Sequence, residues 1–272
     1  MSRLRLSLAV SALVAACVVV PSASAEEAAC SPTGGTVTRT LFPASFRSYN
    51  LRVPAGLSGS APLLLSLHGL GSSPFGQEVA SGWSGYADRT GFVVAYPAGE
   101  GGRWDFAAGS TDVRFLRRVV DHIAASTCVD PRRVYVDGGS LGSFMAQRAA
   151  CDAPGSFAAV TGFMGGDPSV FGACAPIRPI AVALFHGEAD PLVSVDAGEL
   201  ARDAWVKRNA CDPTGIAEPV TDGTALRYTR CAGGVSVAWR SYAGLGHAYP
   251  SGAQADDWRD RAWRHLTAHT LP

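Results

Sequence analysis

The sequence predicts a protein of the α/β class, with a mostly parallel central sheet covered by helices on both faces. Short apolar runs alternate along the chain with longer amphipathic ones, the pattern of strands connected by crossover helices. Each central run is continuous in apolar residues, as a strand buried on both faces must be. The chain has 272 residues, 47% of them hydrophobic, enough to bury one large core and little more.

The first segment reads as a targeting element. Arg3 and Arg5 precede a predominantly apolar run from Leu6 to Val20, and Ala23-Ser24-Ala25 forms a small-residue cleavage site before Glu26. Residues 1–25 are therefore expected to be a secretory signal peptide, since the run is shorter than the roughly 20 residues a spanning helix needs. A rival reading takes Val14-Ala15-Ala16-Cys17 as a lipobox with Cys17 lipidated, but the segment stays apolar from Val18 to Val20. No repeat, linker or low-complexity tract appears after residue 30, and residues 26–272 are expected to form a single α/β domain.

Within that domain, strands are expected at Tyr49–Val53, Leu63–Leu67, Phe92–Tyr96, Arg133–Asp137, Phe157–Gly162, Ile180–Phe185 and Val235–Tyr242. Helices are expected at Trp83–Thr90, Asp112–Ser126, Leu141–Ala150, Ala197–Asn209 and Asp256–Thr267. In the second helix Val113, Leu116, Val119, Val120 and Ile123 recur at helical spacing and mark its buried face.

Basic and acidic residues balance at 23 each, so no basic stripe points to nucleic acid or an anionic membrane. Removal of the leader would take Cys17 from the seven cysteines and leave Cys30, Cys128, Cys151, Cys174, Cys211 and Cys231. An even set in an exported chain suggests disulfides. Cys211 and Cys231, flanking the turn-rich stretch DPTGIAEPVTDGTALRYTR, are the expected pair, worth roughly 3 kcal/mol in the chain-entropy model. Pairing among the other four stays open. No C-x-x-C spacing suggests a metal, and no cofactor is implied.

The chemistry enters at VYVDGGSLGSFM. A G-x-S-x-G match alone is weak, but here the strand RRVYVD runs into Gly138-Gly139-Ser140-Leu141-Gly142 and a helix follows at once. Strand, sharp turn and helix are what a nucleophile elbow requires, with Ser140 projecting from the top of the sheet. A serine hydroxyl needs a base, and the base an orienting acid. His247 lies in the glycine-rich loop AGLGHAYPSG after the last strand, and Asp190 in FHGEADP just beyond another. The order Ser140, Asp190, His247 is that of α/β hydrolases. His122, His265 and His269 read as solvated residues of helical stretches. His68 reads as structural, shaping the loop HGLGSS through a hydrogen bond. Asp167 reads as a turn residue and Asp196 as a helix N-cap. The oxyanion donors are expected to be the N–H groups of Leu141, next after the nucleophile, and Leu70, in the loop after PLLLSL. Trp104, Phe106, Phe163 and Tyr249 are candidates for an aromatic pocket wall.

LHGLGSS, GFVVAYP, DVRFLRRVVDHI, CVDPRRVYVDGGSLGS, FHGEADPLV and GLGHAYP, in this order, resemble the secreted esterase family that includes feruloyl esterases and polyhydroxybutyrate depolymerases. The similarity spans about residues 30 to 270. It implies an α/β-hydrolase fold and a serine triad at Ser140, Asp190 and His247. Such relatives often carry Asn or Tyr where Leu141 stands, a second glycine where Ser143 stands, and Trp where Tyr249 stands. These departures fall at the rim of the acyl pocket and bear on substrate choice.

The expected function is that of a secreted serine carboxylesterase acting through an acyl-enzyme, with feruloyl or acetyl esters of plant polysaccharide as the favoured substrates. Polymer-attacking depolymerases generally carry a separate binding module, for which this sequence shows neither linker nor length, and that places hydroxybutyrate esters second. A mycolyl-type acyltransferase and a non-catalytic carbohydrate-binding surface protein are the alternatives from other classes. The first would use the same triad; the second would be expected to lose a triad member, and none is missing.

Overall fold

The structure, a computed structural model, describes residues 34–41, 46–57 and 59–272. The leader, the Cys17 alternative and Cys30 lie outside the described residues. Ten strands form one sheet: β1 (Gly35–Thr40), β2 (Ser48–Val53), β3 (Ala61–Leu67), β4 (Val93–Pro97), β5 (Val129–Gly138), β6 (Ala159–Phe163), β7 (Ala181–Gly187), β8 (Ile216–Ala217), β9 (Thr224–Tyr228) and β10 (Val237–Tyr242). Their spatial order is β1-β2-β4-β3-β5-β6-β7-β10-β9-β8. The central pairs, β4 with β3, β3 with β5, β5 with β6, β6 with β7 and β7 with β10, are parallel. The outer pairs on both sides are antiparallel.

Six helices cover the sheet: α1 (Pro74–Ser81), α2 (Trp83–Thr90), α3 (Thr111–Ala124), α4 (Leu141–Asp152), α5 (Val195–Arg208) and α6 (Gly252–Thr267). The sheet's two faces make two cores. On one, α3, α4 and α5 lay Leu116, Val119, Ile123, Met145, Ala149 and Trp205 against Leu63, Leu65, Val136 and Val182. On the other, Trp83, Ala87, Trp258, Ala262 and Leu266 of α2 and α6 cover Leu64, Val94, Tyr135 and Ala183. Alternate residues of one strand thus point to opposite cores, which is why the central runs are apolar throughout. In α3, Val113, Leu116, Val119 and Ile123 are buried as the periodicity required, and the hydroxyl of Ser110 caps the helix by accepting from the Val113 amide. Each such aliphatic side chain contributes about 1.5–3 kcal/mol.

Four elements were not expected. β1 is largely exposed and carries no apolar alternation, α1 is short and contains Gly76, and β8 and β9 lie inside the stretch read as turns. The Cys211–Cys231 disulfide closes that stretch as expected, and a second joins Cys151 to Cys174. Cys128 is also disulfide-bonded. The solvated reading of three histidines is corrected. His122, His265 and His269 are each half-buried, His122 pairing with the Tyr49 hydroxyl at 2.9 Å and His265 facing His269 at 5.4 Å between rings.

Candidate active site

Four loops at the C-terminal ends of parallel strands converge. β5 delivers Ser140, β3 the loop from His68 to Ser72, β7 Asp190, and β10 His247. This is the edge where open α/β sheets place their ligands.

Ser140 has φ 55° and ψ −121°, a conformation L-residues seldom adopt and one that turns the chain from β5 into α4 within a residue. The two framing glycines are sterically required. A Cβ on Gly138 would lie 2.2 Å from the Gly142 carbonyl oxygen, and one on Gly142 would lie 2.0 Å from that of Leu67. From this turn the Ser140 hydroxyl donates to His247 Nε2 at 2.8 Å. The Nδ1–H of His247 donates to Asp190 Oδ2 at 2.7 Å.

The acid is itself fixed. Asp190 is 8% exposed, and its Oδ1 accepts from the amides of Leu192 and Val193 at 2.9 and 3.0 Å. Burial alone would raise its pKa, yet the Val193 amide, His247 and the Leu192 amide together hold it below the usual carboxylate range, so it is ionised at neutral pH. His186 of β7, fully buried, reaches Val193 O at 2.8 Å and lies 3.4 Å from Asp190 Oδ2. Burial depresses its pKa, so it lies against the carboxylate as a neutral ring. His186 follows a strand directly in the sequence, but nothing in its spacing marks it as a neighbour of the acid. Asp196 and Asp167 do not approach the histidine. Asp196 is exposed in the first turn of α5, whose N-cap is Ser194 rather than Asp196, because the helix begins earlier than its apolar residues suggest. Asp167 holds Arg208 through both carboxylate oxygens, at 2.9 and 2.8 Å.

Opposite the hydroxyl, the loop after β3 comes close: a Cβ on Gly69 would stand 3.9 Å from Ser140 Oγ. His68 shapes this loop as expected, donating from Nδ1 to Gly69 O at 2.8 Å and accepting from the Gly99 amide at Nε2 at 2.9 Å. Neither the Leu70 nor the Leu141 N–H makes a hydrogen bond among the described residues, which leaves both free for a ligand oxygen.

The expected aromatic wall is only partly present. Trp104 and Phe163 are 4% and 0% exposed, so they pack the interior, Trp104 donating its indole N–H to His68 O at 2.8 Å. Phe106 instead joins Phe144 and Phe171 in a cluster with ring separations of 4.3–6.1 Å. Phe144 stands one turn beyond Ser140 on α4, a spacing readable in the sequence once the elbow is placed. Arg148, a further turn along and fully buried, donates to the carbonyls of Phe106, Pro168, Gly172 and Ala173 and so ties this cluster's loops to α4. The Tyr249 hydroxyl accepts from Gln77 Nε2 at 2.8 Å, and Gln77 also donates to Ser66 Oγ. Ser66 in turn donates to Asp137, a fully buried carboxylate that also accepts from Trp83 Nε1 and Thr161 Oγ1 at 2.8 and 2.7 Å. Among the described residues no group of three or more His, Cys, Asp or Glu could hold a metal ion.

Sheet order, elbow and loop placement define an α/β hydrolase. A solved acetyl xylan esterase from Aspergillus awamori shares this fold, with a TM-score of 0.71 over 86% of this chain and 99% of that one at 17% identity. No protein-family model matches the chain. Among curated proteins it is 31% identical over 219 residues to a bifunctional acetylxylan esterase/xylanase of Neocallimastix patriciarum, covering 78% of this chain and 32% of that one. It is 27% identical over 243 residues to feruloyl esterase C of Emericella nidulans, covering 86% and 88%. It is 34% identical over 125 residues to poly(3-hydroxyalkanoate) depolymerase C of Paucimonas lemoignei, covering 42% and 30%. The chain is thus similar in sequence to feruloyl esterases, acetylxylan esterases and such a depolymerase. It spans less than half the length of the first relatives it matches.

Proposed function

We propose that the protein is an exported serine carboxylesterase that cleaves feruloyl or acetyl esters of plant polysaccharide through an acyl-enzyme. The observation that carries the reading is the unbroken chain from Asp190 through His247 to Ser140, at 2.7 and 2.8 Å, beside two unpaired N–H groups. His247 Nε2 takes the Ser140 proton as Oγ bonds to the ester carbonyl carbon, and the Leu70 and Leu141 amides receive the oxyanion. Collapse of the tetrahedral species breaks the bond to the alcohol, which leaves with the proton held by His247. Water, deprotonated by the same nitrogen, then releases the acid and restores Ser140. Asp190 keeps the imidazole in the tautomer that presents a lone pair to the serine.

The substrate class rests on the relatives' activities and on the apolar rim, where Leu70 and Leu192 are 58% and 75% exposed and the Phe106, Phe144 and Phe171 cluster flanks the elbow. Hydroxyalkanoate oligomers are the second reading, supported by the depolymerase among the relatives. Disulfides at Cys151–Cys174 and Cys211–Cys231 support export, because such bonds persist in oxidising compartments. The test is a panel of methyl ferulate, p-nitrophenyl acetate, acetylated xylan and hydroxybutyrate oligomers, with Ser140→Ala alongside. Hydroxycinnamoyl or acetyl esters should turn over fastest, and Ser140→Ala should lose at least about 10⁴ in rate while staying folded. Retained turnover in that variant removes the mechanism; hydrolysis of hydroxybutyrate oligomers alone removes the substrate class.

A further inference from the structure

Proton transfer from Ser140 depends on where the His247 ring is held, yet that ring rides on a loop. The loop leaves β10 at Tyr242 and enters α6 at Gly252. Before the histidine it is tied to the acid's loop, the Ala189 amide donating to Leu245 O at 2.9 Å. After the histidine, among the described residues, the hydrogen bond that ties it to another element is made by Tyr249, whose hydroxyl accepts from Gln77 Nε2 of α1 at 2.8 Å. Gln77 is buried, and the same nitrogen donates to Ser66 Oγ of β3 at 2.9 Å, so both of its amide hydrogens are used. Ser66 Oγ donates to Asp137 Oδ2 at 3.2 Å, three residues ahead of Ser140 on β5. A polar chain therefore runs from the loop of the base through α1 and β3 to the strand of the nucleophile. Burial, and then the Asp137 carboxylate, raise the Tyr249 pKa well above its ordinary value, so the phenol stays a neutral hydroxyl.

Steric contact closes the same circuit. Gly139, the residue before Ser140, does not lie in the left-handed region, so its backbone conformation does not call for glycine. The three atoms nearest to a Cβ built there all belong to Tyr249: Oη at 2.5 Å, Cζ at 2.8 Å and Cε2 at 3.0 Å. The ring has no room to swing aside. Phe163 and Trp258, both fully buried, flank it at 5.4 and 4.6 Å between ring centroids. The side chain two residues after the base thus bears directly on the residue before the nucleophile.

We propose that Tyr249, held by Gln77, is a positioning residue for the catalytic base: it seats the His247 loop against the elbow and so fixes the hydrogen bond between His247 and Ser140. It acts through Gly139 and through the loop it shares with His247, not on the substrate. The proposal rests on the esterase reading, since it requires Ser140 to react.

The test compares wild type with Tyr249→Phe, which keeps the ring and removes the hydroxyl, with Gln77→Met, which keeps the phenol and removes its donor, and with the double variant. Circular dichroism melts report folding; kcat and KM for p-nitrophenyl acetate and the rate at which an organophosphate labels Ser140 report the base. Each single variant should lose about tenfold or more in kcat with KM within about twofold of wild type, and labelling should slow by a similar factor. The double variant should lose about as much as the worse single one, because both break the same bond. Variants that melt lower but keep kcat and labelling rate overturn the proposal, leaving Tyr249 a purely structural residue. A raised KM at unchanged kcat places Tyr249 against substrate and overturns it as well, as does a double variant whose losses multiply. Should Tyr249→Phe fail to fold, Gln77→Met carries the same comparison from the other end of the bond. Wild-type protein that neither hydrolyses the ester nor takes the label removes the esterase reading and the proposal with it; an active, labelled wild type with unaltered variants removes the proposal alone.

Discussion

Replacing Asp137 with Asn should make the protein more stable at neutral pH. Asp137 is fully buried on β5, and the groups that donate to it, Ser66, Trp83, Thr161 and the Gly138 amide, are neutral, with no cation among them. Desolvation outweighs those hydrogen bonds and pushes its pKa from 3.8 up to about 6. A native pKa above the unfolded one means that the folded state holds the proton longer. The carboxyl's contribution is therefore complete below about pH 4 and is lost as the pH rises to about 6, a total of about 3 kcal/mol. Asn avoids that loss with little rearrangement. Its oxygen can accept from Trp83 and Ser66 where Oδ2 now does, and its amide can donate to Thr161 once that hydroxyl turns to accept. Urea denaturation of both proteins at pH 4 and pH 7 measures the effect, since every other titrating group cancels in the difference. The variant should match the wild type within about 1 kcal/mol at pH 4 and exceed it by about 3 kcal/mol at pH 7. An Asn variant whose relative stability does not rise between the two pH values would show that the four donors, not desolvation, govern this carboxylate.

Asp190→Asn should keep the fold and lower kcat by up to about 10⁴, while Asp196→Asn, at an exposed position in the first turn of α5, should change it less than twofold. Steady-state rates on one soluble ester compare them. Arg148→Met should cost about 3–5 kcal/mol in urea denaturation, because the buried carbonyls of Phe106, Pro168, Gly172 and Ala173 lose their donor. Thiol titration in denaturant without reductant should find no reactive group from Cys128, Cys151, Cys174, Cys211 or Cys231, and any reactive thiol among them would break the disulfide assignment.

The parts of the site legible in the sequence are those governed by local rules. Ser140, Asp190 and His247 each follow a strand readable in the sequence, and a residue just past the end of a parallel strand is at the same edge as its counterparts whatever the strand order. The elbow announced itself because Gly138 and Gly142 leave room for crossing backbone, a purely steric demand. What escaped depends on packing between distant segments. Asp137 ends a strand and reads as a polar boundary residue; only the arrival of Trp83 and Thr161 makes it interior. Trp104 and Phe163 look like pocket walls because aromatic residues in loops near an elbow can be either, and burial alone decides. β1 was missed because an edge strand needs no apolar period, β9 because its buried residues, Ala225 and Tyr228, do not alternate with period two, and α1 because Gly76 and Pro74 mask an N-cap at Ser73 that was readable.

The groups that meet at Ser140 come from β3, β5, β7 and β10, which are far apart in sequence but near neighbours in the sheet. Parallel pairing of this kind forms late and slowly, because each contact must close a long loop before it gains anything. On refolding, helical signal should return ahead of turnover, and the docking of β10, the last of these strands in the chain, should set the pace at which hydrolysis reappears. A refolding curve followed by ester cleavage would then time the final registration of the sheet, which spectroscopic probes of helix content do not see.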